Sequence, residues 1–179
     1  MSDINDNANL ILRYIIENPG CHMRKIKNDL HFSIGTIQHH LNILEKSGKI
    51  VSERFNLHRH YFASGVFKDN ERNILKILNQ DTARQILMLI LERKYPTQTD
   101  IVRGIKISAP SVNWHIKRLV ELGIILESKE GRFKRYQLAI DSKSVVNLLK
   151  NYYPNLWNKW SSKIAELFLS LSMESDKTD

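Results

Sequence analysis

The sequence predicts a mainly helical protein with small β-hairpins, in which one small domain occurs twice. Its 179 residues match themselves after a shift of 75 residues, with thirteen identities between residues 6–61 and 81–136. Composition alone would give roughly three or four identities over that length. Each copy shows three helical patterns followed by two short strand patterns around a turn.

The first helix of each repeat is indicated by apolar residues at helical spacing. Asp6 and Asp81 precede these runs, and their carboxylates are expected to cap the first helical turn. Pro19-Gly20 and Tyr95-Pro96 are expected to end the helices. The residues expected to face the core are Leu12, Ile15, Ile16, Ile86, Leu87, Ile90 and Leu91.

A short second helix is predicted over residues 23–30 and again over residues 98–104. In repeat two, Thr97 and Asp100 have the spacing of a capping box, in which each side chain accepts a hydrogen bond from the backbone of the other residue. The helix is therefore expected to begin directly after Thr97.

A third helix follows in each repeat, with Ser33 and Ser108 as its predicted N-caps. Gly48 and Gly123 suit the left-handed backbone that commonly ends a helix. Pro110 is tolerable because it lies in the first turn. The residues expected to point inward are Ile34, Ile37, Leu41, Leu44, Val112, Ile116 and Leu119.

A β-hairpin is predicted after each third helix. Gly131 can take the positive φ that a tight turn requires. The predicted strands are 50–55, 60–63, 125–128 and 135–140, with tips at 56–59 and 130–134. Three helices followed by a basic hairpin form a winged helix-turn-helix domain, so the fold class is α+β with two such domains in tandem.

Residues 32–50, FSIGTIQHHLNILEKSGKI, resemble the recognition helix of ArsR- and MarR-like winged-helix regulators, and a basic wing follows them. The tandem arrangement is similar to archaeal transcriptional regulators that carry two winged helices in one chain. This resemblance implies a sequence-specific regulator that binds double-stranded DNA. Pro110 and Trp114 depart from the small and polar residues usual in the second recognition helix.

The outer faces of the third helices and the basic hairpins are predicted to contact DNA. A recognition helix fits the major groove, and wing residues reach phosphates or the minor groove. The alternative for the polar positions is simple solvent exposure, and for Trp114 packing is preferred over stacking on a base. The candidate residues are Ser33, Gly35, Thr36, Gln38, His39, Asn42, Lys46, Arg54, Arg59, Ser108, Ser111, Asn113, Trp114, Lys117, Arg118, Lys129, Arg132, Lys134 and Arg135.

The charge balance favours a nucleic-acid partner, because the 27 Lys and Arg residues outnumber the 19 Asp and Glu residues and the pI is about 9.6. Residues 1–66 carry 8 basic and 6 acidic side chains, whereas residues 81–147 carry 12 and 7. Repeat two is therefore expected to supply more of the salt-sensitive affinity. The alternative is an RNA-binding or protein-interaction module without operator specificity.

No enzymatic motif is found, so the prediction is a protein without catalytic residues or cofactors. Six of the seven histidines lie in repeat one, near Cys21. A metal sensor or a redox switch at Cys21 is considered, but no CxxC or HxxxH spacing supports a metal site. The paired His40 and His115 are expected to form hydrogen bonds within their domains. One cysteine and no signal peptide predict a cytoplasmic protein.

The predicted organisation is domain one over residues 1–66, a linker helix over 67–80, domain two over 81–147 and a helical tail over 148–179. An apolar stripe along the tail needs a covering surface. A homodimer is the preferred explanation, with packing on the same chain and a membrane surface as alternatives. The predicted dimerisation residues are Leu156, Trp157, Trp160, Ile164, Leu167, Phe168 and Leu171.

Overall fold

The fold consists of two compact units, with the boundary between Asn79 and Gln80. It is taken from a computed structural model that describes residues 2–161 and residue 165. The elements of unit 1 are α1 (Ser2–Glu17), β1 (Cys21–His22), α2 (Met23–Leu30), α3 (Ile34–Lys46), β2 (Ile50–Phe55), β3 (His58–Ala63) and α4 (Asp69–Leu78). The elements of unit 2 are α5 (Asp81–Arg93), α6 (Gln98–Ile105), α7 (Ala109–Glu121), β4 (Ile125–Glu130), β5 (Phe133–Leu138) and α8 (Ser142–Tyr152), followed by helical residues 154–161.

In unit 1, three helices pack on a small antiparallel sheet with strand order β1-β3-β2. Ile50 pairs with Ala63 at the base of the hairpin, and Cys21 pairs with Tyr61 on the other side of β3. The apolar faces of α1, α2 and α3 meet in the core of this unit. The buried core contains Ile11, Ile15, Cys21, Ile26, Ile37, Leu41, Leu44, Ile50 and Tyr61.

Unit 2 repeats this plan with a two-stranded sheet. A single bridge between Thr97 and Arg135 occupies the position of β1, since His22 and His60 pair at the equivalent residues of unit 1. The buried core of the three helices includes Ile86, Leu87, Ile90, Ile101, Val112, Ile116 and Leu119. The internal repeat in the sequence therefore corresponds to two copies of one helix and hairpin arrangement.

Helix α4 belongs to unit 1, whereas we expected residues 67–80 to form a separate linker helix. Five consecutive residues of α4, 74–78, are buried. The Lys76 ammonium lies 2.6 Å from a carboxylate oxygen of Glu53 on β2, and Asn79 donates a hydrogen bond to the Pro19 carbonyl. Amphipathic spacing alone does not reveal which surface such a helix covers, and this surface belongs to the first repeat.

Most helix boundaries are confirmed, including the capping box of Thr97 and Asp100 and the serine caps of α3 and α7. Two predicted caps are wrong. Asp6 lies inside α1, which begins at Ser2, and Asp81 is the first residue of α5, where it pairs with Arg84. A carboxylate in the first turn also favours a helix electrostatically, so sequence alone does not separate this role from capping.

Two predicted core residues are exposed instead. Ile16 on α1 and Ile34 at the start of α3 each leave half of their surface open, and Ile11 takes the buried position on α1. β3 begins two residues earlier than predicted and β4 extends to Glu130, so the tips are only Asn56-Leu57 and Gly131-Arg132. β5 spans Phe133–Leu138, which is two residues earlier at both ends than the predicted 135–140. Longer ladders make each wing a two-stranded arm that ends in a two-residue turn.

Candidate nucleic-acid interface

The exposed face of α3 is mostly polar, although Ile34 and Ile43 are also exposed on the helix, and its first turn is held by the Ser33 hydroxyl. This oxygen accepts a hydrogen bond from the Thr36 N–H at 3.1 Å and lies 2.8 Å from the Thr36 hydroxyl. Ile37, Leu41 and Leu44 anchor the opposite face in the core. The candidate residues exposed on this surface are Ser33, Gly35, Gln38, His39, Asn42 and Lys46, and Thr36 is half-buried among them.

No acidic side chain is exposed among residues 33–47, all of which the structure describes. The single acid of α3, Glu45, is half-buried and turns toward the wing. Its carboxylate accepts a hydrogen bond from the Ser52 hydroxyl at 2.5 Å and lies 3.6 Å from the Arg59 guanidinium. The α3 face therefore offers hydrogen-bonding groups and Lys46 without a carboxylate that would repel phosphate.

The α7 face of unit 2 differs in chemistry. Asn113, Trp114 and Lys117 are exposed, and the capping Ser108 accepts a hydrogen bond from the half-buried Ser111 at 3.4 Å. Trp114 is 53% exposed, so it does not pack as we expected; the guanidinium of the half-buried Arg118 lies 5.2 Å from the centre of its ring. An aromatic and cationic pair thus replaces the polar surface of α3.

A groove of about 620 Å³ lies between α7 and the second hairpin. Its lysines are paired with acids: Lys117 lies 4.0 Å from Glu121, and Lys134 lies 2.7 Å from Glu127. Such pairing lowers the positive potential that phosphates would meet in the groove. The higher net charge of repeat two is therefore not concentrated on its recognition helix.

Wing 1 is the hairpin of β2 and β3. Arg54 and Arg59 face each other across its ladder, one pair before the turn at Asn56-Leu57. Both arginines are exposed, and Arg54 has no carboxylate partner among the residues that the structure describes. The side chain of Leu57 is 87% exposed at the apex.

Wing 2 is the hairpin of β4 and β5, in which Lys129 pairs with Lys134 across the ladder. Arg135 forms an ion pair with Glu130 and donates a hydrogen bond to the Tyr95 carbonyl at 3.1 Å. Lys134 is bound to Glu127 in the groove. Within residues 2–161, Lys129 and Arg132 are thus the two wing 2 cations without a carboxylate partner, a distinction that the sequence did not reveal.

His40 and His115 do not form the hydrogen bonds that we expected. Their Nδ1 atoms are buried and have no hydrogen-bond partner among the described residues. Burial and the neighbouring His39 hold the pKa of His40 below its ordinary value; burial and Arg118 do the same for the pKa of His115. Both shifts favour the neutral ring; His40 is buried in unit 1, whereas His115 is half-buried in unit 2.

Three histidines of unit 1 form a cluster that sequence reasoning missed. The rings of His22 and His58 stack 4.9 Å apart, and His60 donates from Nδ1 to the Gly20 carbonyl at 2.6 Å. His22 Nδ1 accepts a hydrogen bond from the Lys25 N–H and so caps α2. Burial, together with neighbouring positive charge, lowers the pKa of His22 and of His60.

Cys21 lies next to this cluster, fully buried in the core of unit 1. Burial raises the pKa of its thiol to about 12, so the reactive thiolate is not populated at neutral pH. This environment gives no support to a redox switch. Among the described residues, no group of three or more histidine, cysteine or acidic side chains has the geometry to hold a metal ion.

The described part of the tail contains three of the predicted dimerisation residues. Leu156, Trp157 and Trp160 are half-buried, and Leu156 and Trp160 line a cavity of about 420 Å³ together with residues of α5 and α6. The remaining predicted dimerisation residues, Ile164, Leu167, Phe168 and Leu171, lie outside the described residues. Within the part of the chain that the structure describes, no helix is long and apolar enough to cross a membrane.

Two family models match the chain. Residues 5–75 match one described as an N-terminal HTH domain, and residues 79–125 match one described as a winged helix-turn-helix DNA-binding domain. The first match extends into α4, which agrees with the packing of that helix on unit 1.

Among curated proteins, an uncharacterized HTH-type transcriptional regulator of Methanocaldococcus jannaschii, MJ1398, is 31% identical over 129 residues. The match covers 72% of this chain and 32% of that protein, so the chain spans about a third of its relative's length. Among solved structures, reduced HlyU from Vibrio cholerae N16961 is similar with 18% identity and a TM-score of 0.40, over 47% of this chain and 90% of that one. Rv0081 from M. tuberculosis is similar with 17% identity and a TM-score of 0.41, over 51% of this chain and 89% of that one.

Proposed function

We propose that this chain, which contains two tandem winged helix-turn-helix domains, is a sequence-specific transcriptional regulator that binds double-stranded DNA in the cytoplasm and catalyses no reaction. The observation that carries this proposal is the α3 face. It presents hydrogen-bonding side chains and a lysine, without an exposed carboxylate, on a helix anchored in a rigid core.

In this proposal, α3 enters the major groove with its N-terminal half toward the bases. Gln38, His39 and Asn42 are the base readers, because their side chains can both donate to and accept from base edges. Ser33, Gly35 and Thr36 lie at the helix N-terminus, where backbone N–H groups and the helix dipole favour a phosphate. These contacts set the register of the protein on the duplex.

The second domain contributes mainly electrostatic affinity. Lys129 and Arg132 project from wing 2 without a carboxylate partner among the described residues, and they suit the phosphate backbone. The lysines of the α7 groove are each paired with an acidic side chain, Glu121 or Glu127. We therefore assign sequence reading mainly to α3 and sequence-independent binding mainly to wing 2.

This function predicts a preference for duplex DNA with a strong salt dependence. About five phosphate contacts would give a slope of log affinity against log salt of roughly −4 to −5. The measurement is a titration of a duplex selected from random sequences, a scrambled duplex, the matched single strand and an RNA hairpin at several salt concentrations. Equal or tighter binding to RNA, or no preference for the selected duplex, contradicts the proposal.

We also propose that the tail forms a homodimer, because its apolar stripe continues past residue 161 with Ile164, Leu167, Phe168 and Leu171 at helical spacing. The half-buried Leu156 and Trp160 already line a cavity with α5 and α6. The tail is thus expected to brace unit 2 with its first turns and to associate through the later ones. A dimer presents four winged helices to a pseudo-palindromic or repeated site.

The dimer is tested by replacing Leu167 and Leu171 with aspartate, which leaves residues 154–161 intact. We expect a folded monomer at about 50 μM and weaker DNA binding, because two charges cannot be buried in an apolar interface. Light scattering coupled to gel filtration measures the mass. The control, Lys163→Asp with Ser170→Asp, alters positions off the stripe and is expected to remain dimeric. A monomeric wild-type chain, or a dimeric Leu167 and Leu171 variant, contradicts the proposal.

A further inference from the structure

The apex of wing 1 is apolar, although the hairpin around it is basic. Leu57 is 87% exposed, which makes it the most exposed large apolar side chain among the described residues. It stands at the end of a two-residue turn, and one ladder pair, Phe55 and His58, separates this turn from the facing pair of Arg54 and Arg59. Asn56 takes the positive φ that this turn requires, so the Leu57 position is open to most residue types, and nothing in the turn itself demands an apolar side chain there.

The internal repeat provides a comparison for this position. The shift of 75 residues places Leu57 opposite Arg132, at the apex of wing 2. There the guanidinium projects 5.2 Å from the ring of Phe133, and the surrounding strand positions are mostly exposed. The same turn is thus charged in one wing and apolar in the other, so the two wings differ in the chemistry that they present.

Wing 1 is also held much more firmly than its exposed tip suggests. Glu53 on β2 is bound by Lys76 and Arg72 of α4, and the Lys76 ammonium lies 5.3 Å from the ring centre of Phe55. Phe55 and His60 are buried, with their rings 5.7 Å apart. The packed part of the hairpin therefore reaches to within two residues of Leu57.

From these observations we infer that Leu57 is an apolar wedge that enters the minor groove beside the α3 site, with Arg54 on a flanking phosphate. The inference rests on the proposed DNA-binding function and names a specificity residue for it. Proteins that bind the minor groove insert leucine or similar side chains between base steps and bend the duplex. A rigid arm suits this role, since a flexible one would lose more conformational entropy on insertion.

A wedge at this position recognises the shape of the duplex and not the hydrogen-bonding groups of its bases. Pyrimidine–purine steps open most easily, and the minor groove of A·T pairs lacks the guanine amino group that would obstruct a side chain. The protein is therefore expected to favour a deformable A·T-rich segment outside the bases that α3 contacts. The contribution of Leu57 carries no charge, so it is independent of salt, unlike that of Arg132.

The experiment uses the duplex that the wild-type protein selects from random sequences. In successive blocks outside the α3 contact, adenine is replaced by 2,6-diaminopurine, which adds an amino group to the minor groove and leaves the major groove unchanged. In a second series, A·T pairs are replaced by inosine·cytosine, which alters the major groove and leaves the minor groove like that of A·T. Affinity is measured by titration, and bending by energy transfer between the duplex ends.

We expect one block in which diaminopurine lowers wild-type affinity by about tenfold, the typical effect of a wrong base pair, whereas inosine has little effect. Leu57→Ala should bind the unmodified duplex about five- to tenfold more weakly, bend it less and be indifferent to diaminopurine in that block. Its thermal midpoint should match the wild type, because the side chain is exposed. The matched control, Arg132→Ala, should reduce the salt slope by about 1 and keep the sensitivity to diaminopurine.

If Leu57→Ala binds and bends the duplex as well as the wild type does, the wedge is overturned. Equal sensitivity of the two proteins to diaminopurine overturns it too. Sensitivity to inosine in the same block assigns that block to major-groove contacts and also overturns it. A wild-type protein that selects no duplex contradicts the proposed function itself, so the two failures are distinguishable.

Discussion

Replacing Gln38 and His39 together by alanine is expected to abolish most of the preference for the selected duplex and to leave binding to scrambled duplexes nearly unchanged. Both side chains are exposed on α3 and lie outside the core of unit 1. A good base contact provides about 1–3 kcal/mol of discrimination. The two together should lower affinity for the selected duplex by about thirtyfold to a thousandfold, which corresponds to about 2–4 kcal/mol.

The measurement is a set of titrations with the selected and scrambled duplexes, and the wing supplies the contrasting variant. Lys129→Ala with Arg132→Ala should weaken binding to all duplexes alike and reduce the salt slope by about 2, because these cations meet phosphates. Replacing Arg132, Lys134 and Arg135 is less informative, since Lys134 and Arg135 are bound to Glu127 and Glu130. A wing variant with altered sequence preference, or an α3 variant with unaltered preference, reverses the assigned roles.

Glu53→Gln is expected to lower the free energy of unfolding by about 2–4 kcal/mol, since it removes the carboxylate that pairs with a buried ammonium. The Lys76 side chain is 6% exposed, and its Nζ donates to Glu53 at 2.6 Å. Arg72 pairs with the same carboxylate. Without it, the Lys76 ammonium remains buried in a site that cannot hydrate it, and the contact between α4 and wing 1 weakens.

Urea unfolding at several pH values tests this prediction. Burial would raise the pKa of Glu53, but the hydrogen bond and charge of Lys76 and the charge of Arg72 outweigh it and hold the pKa below the ordinary 4.5. The folded state therefore binds the proton less readily than the unfolded chain. The stabilisation is fully present above pH 4.5 and is lost as pH falls through the lower, folded pKa.

The difference between wild type and Glu53→Gln should accordingly be constant near neutral pH and shrink below about pH 4.5. The buried histidines also destabilise the fold below their ordinary pKa, but equally in both proteins, so this effect cancels in the difference. Glu17→Gln serves as the control, because its pair with Arg13 is exposed and should change stability little. A Glu53→Gln protein as stable as the wild type shows that the pair does not hold α4.

The sequence alone was sufficient to predict the repeated domain, because its signals are local. Ser33 and Thr97 each cap a helix through atoms within three residues, and both interactions are found in the structure. The positive φ of Gly48 and Gly123 is likewise set by the helix that each one ends. The apolar faces of α3 and α7 followed from spacing, apart from Ile34 at the exposed first turn.

The tertiary structure decided which groups meet across the chain. Glu53 and Lys76 are 23 residues apart, and no local pattern assigns α4 to the surface of unit 1. Similarly, Lys134 and Arg135 were predicted from the sequence to bind DNA. The ladder of wing 2 pairs Lys134 with Glu127 and Arg135 with Glu130. A net charge is a property of composition, whereas the charge available to a ligand depends on which side chains the fold brings together.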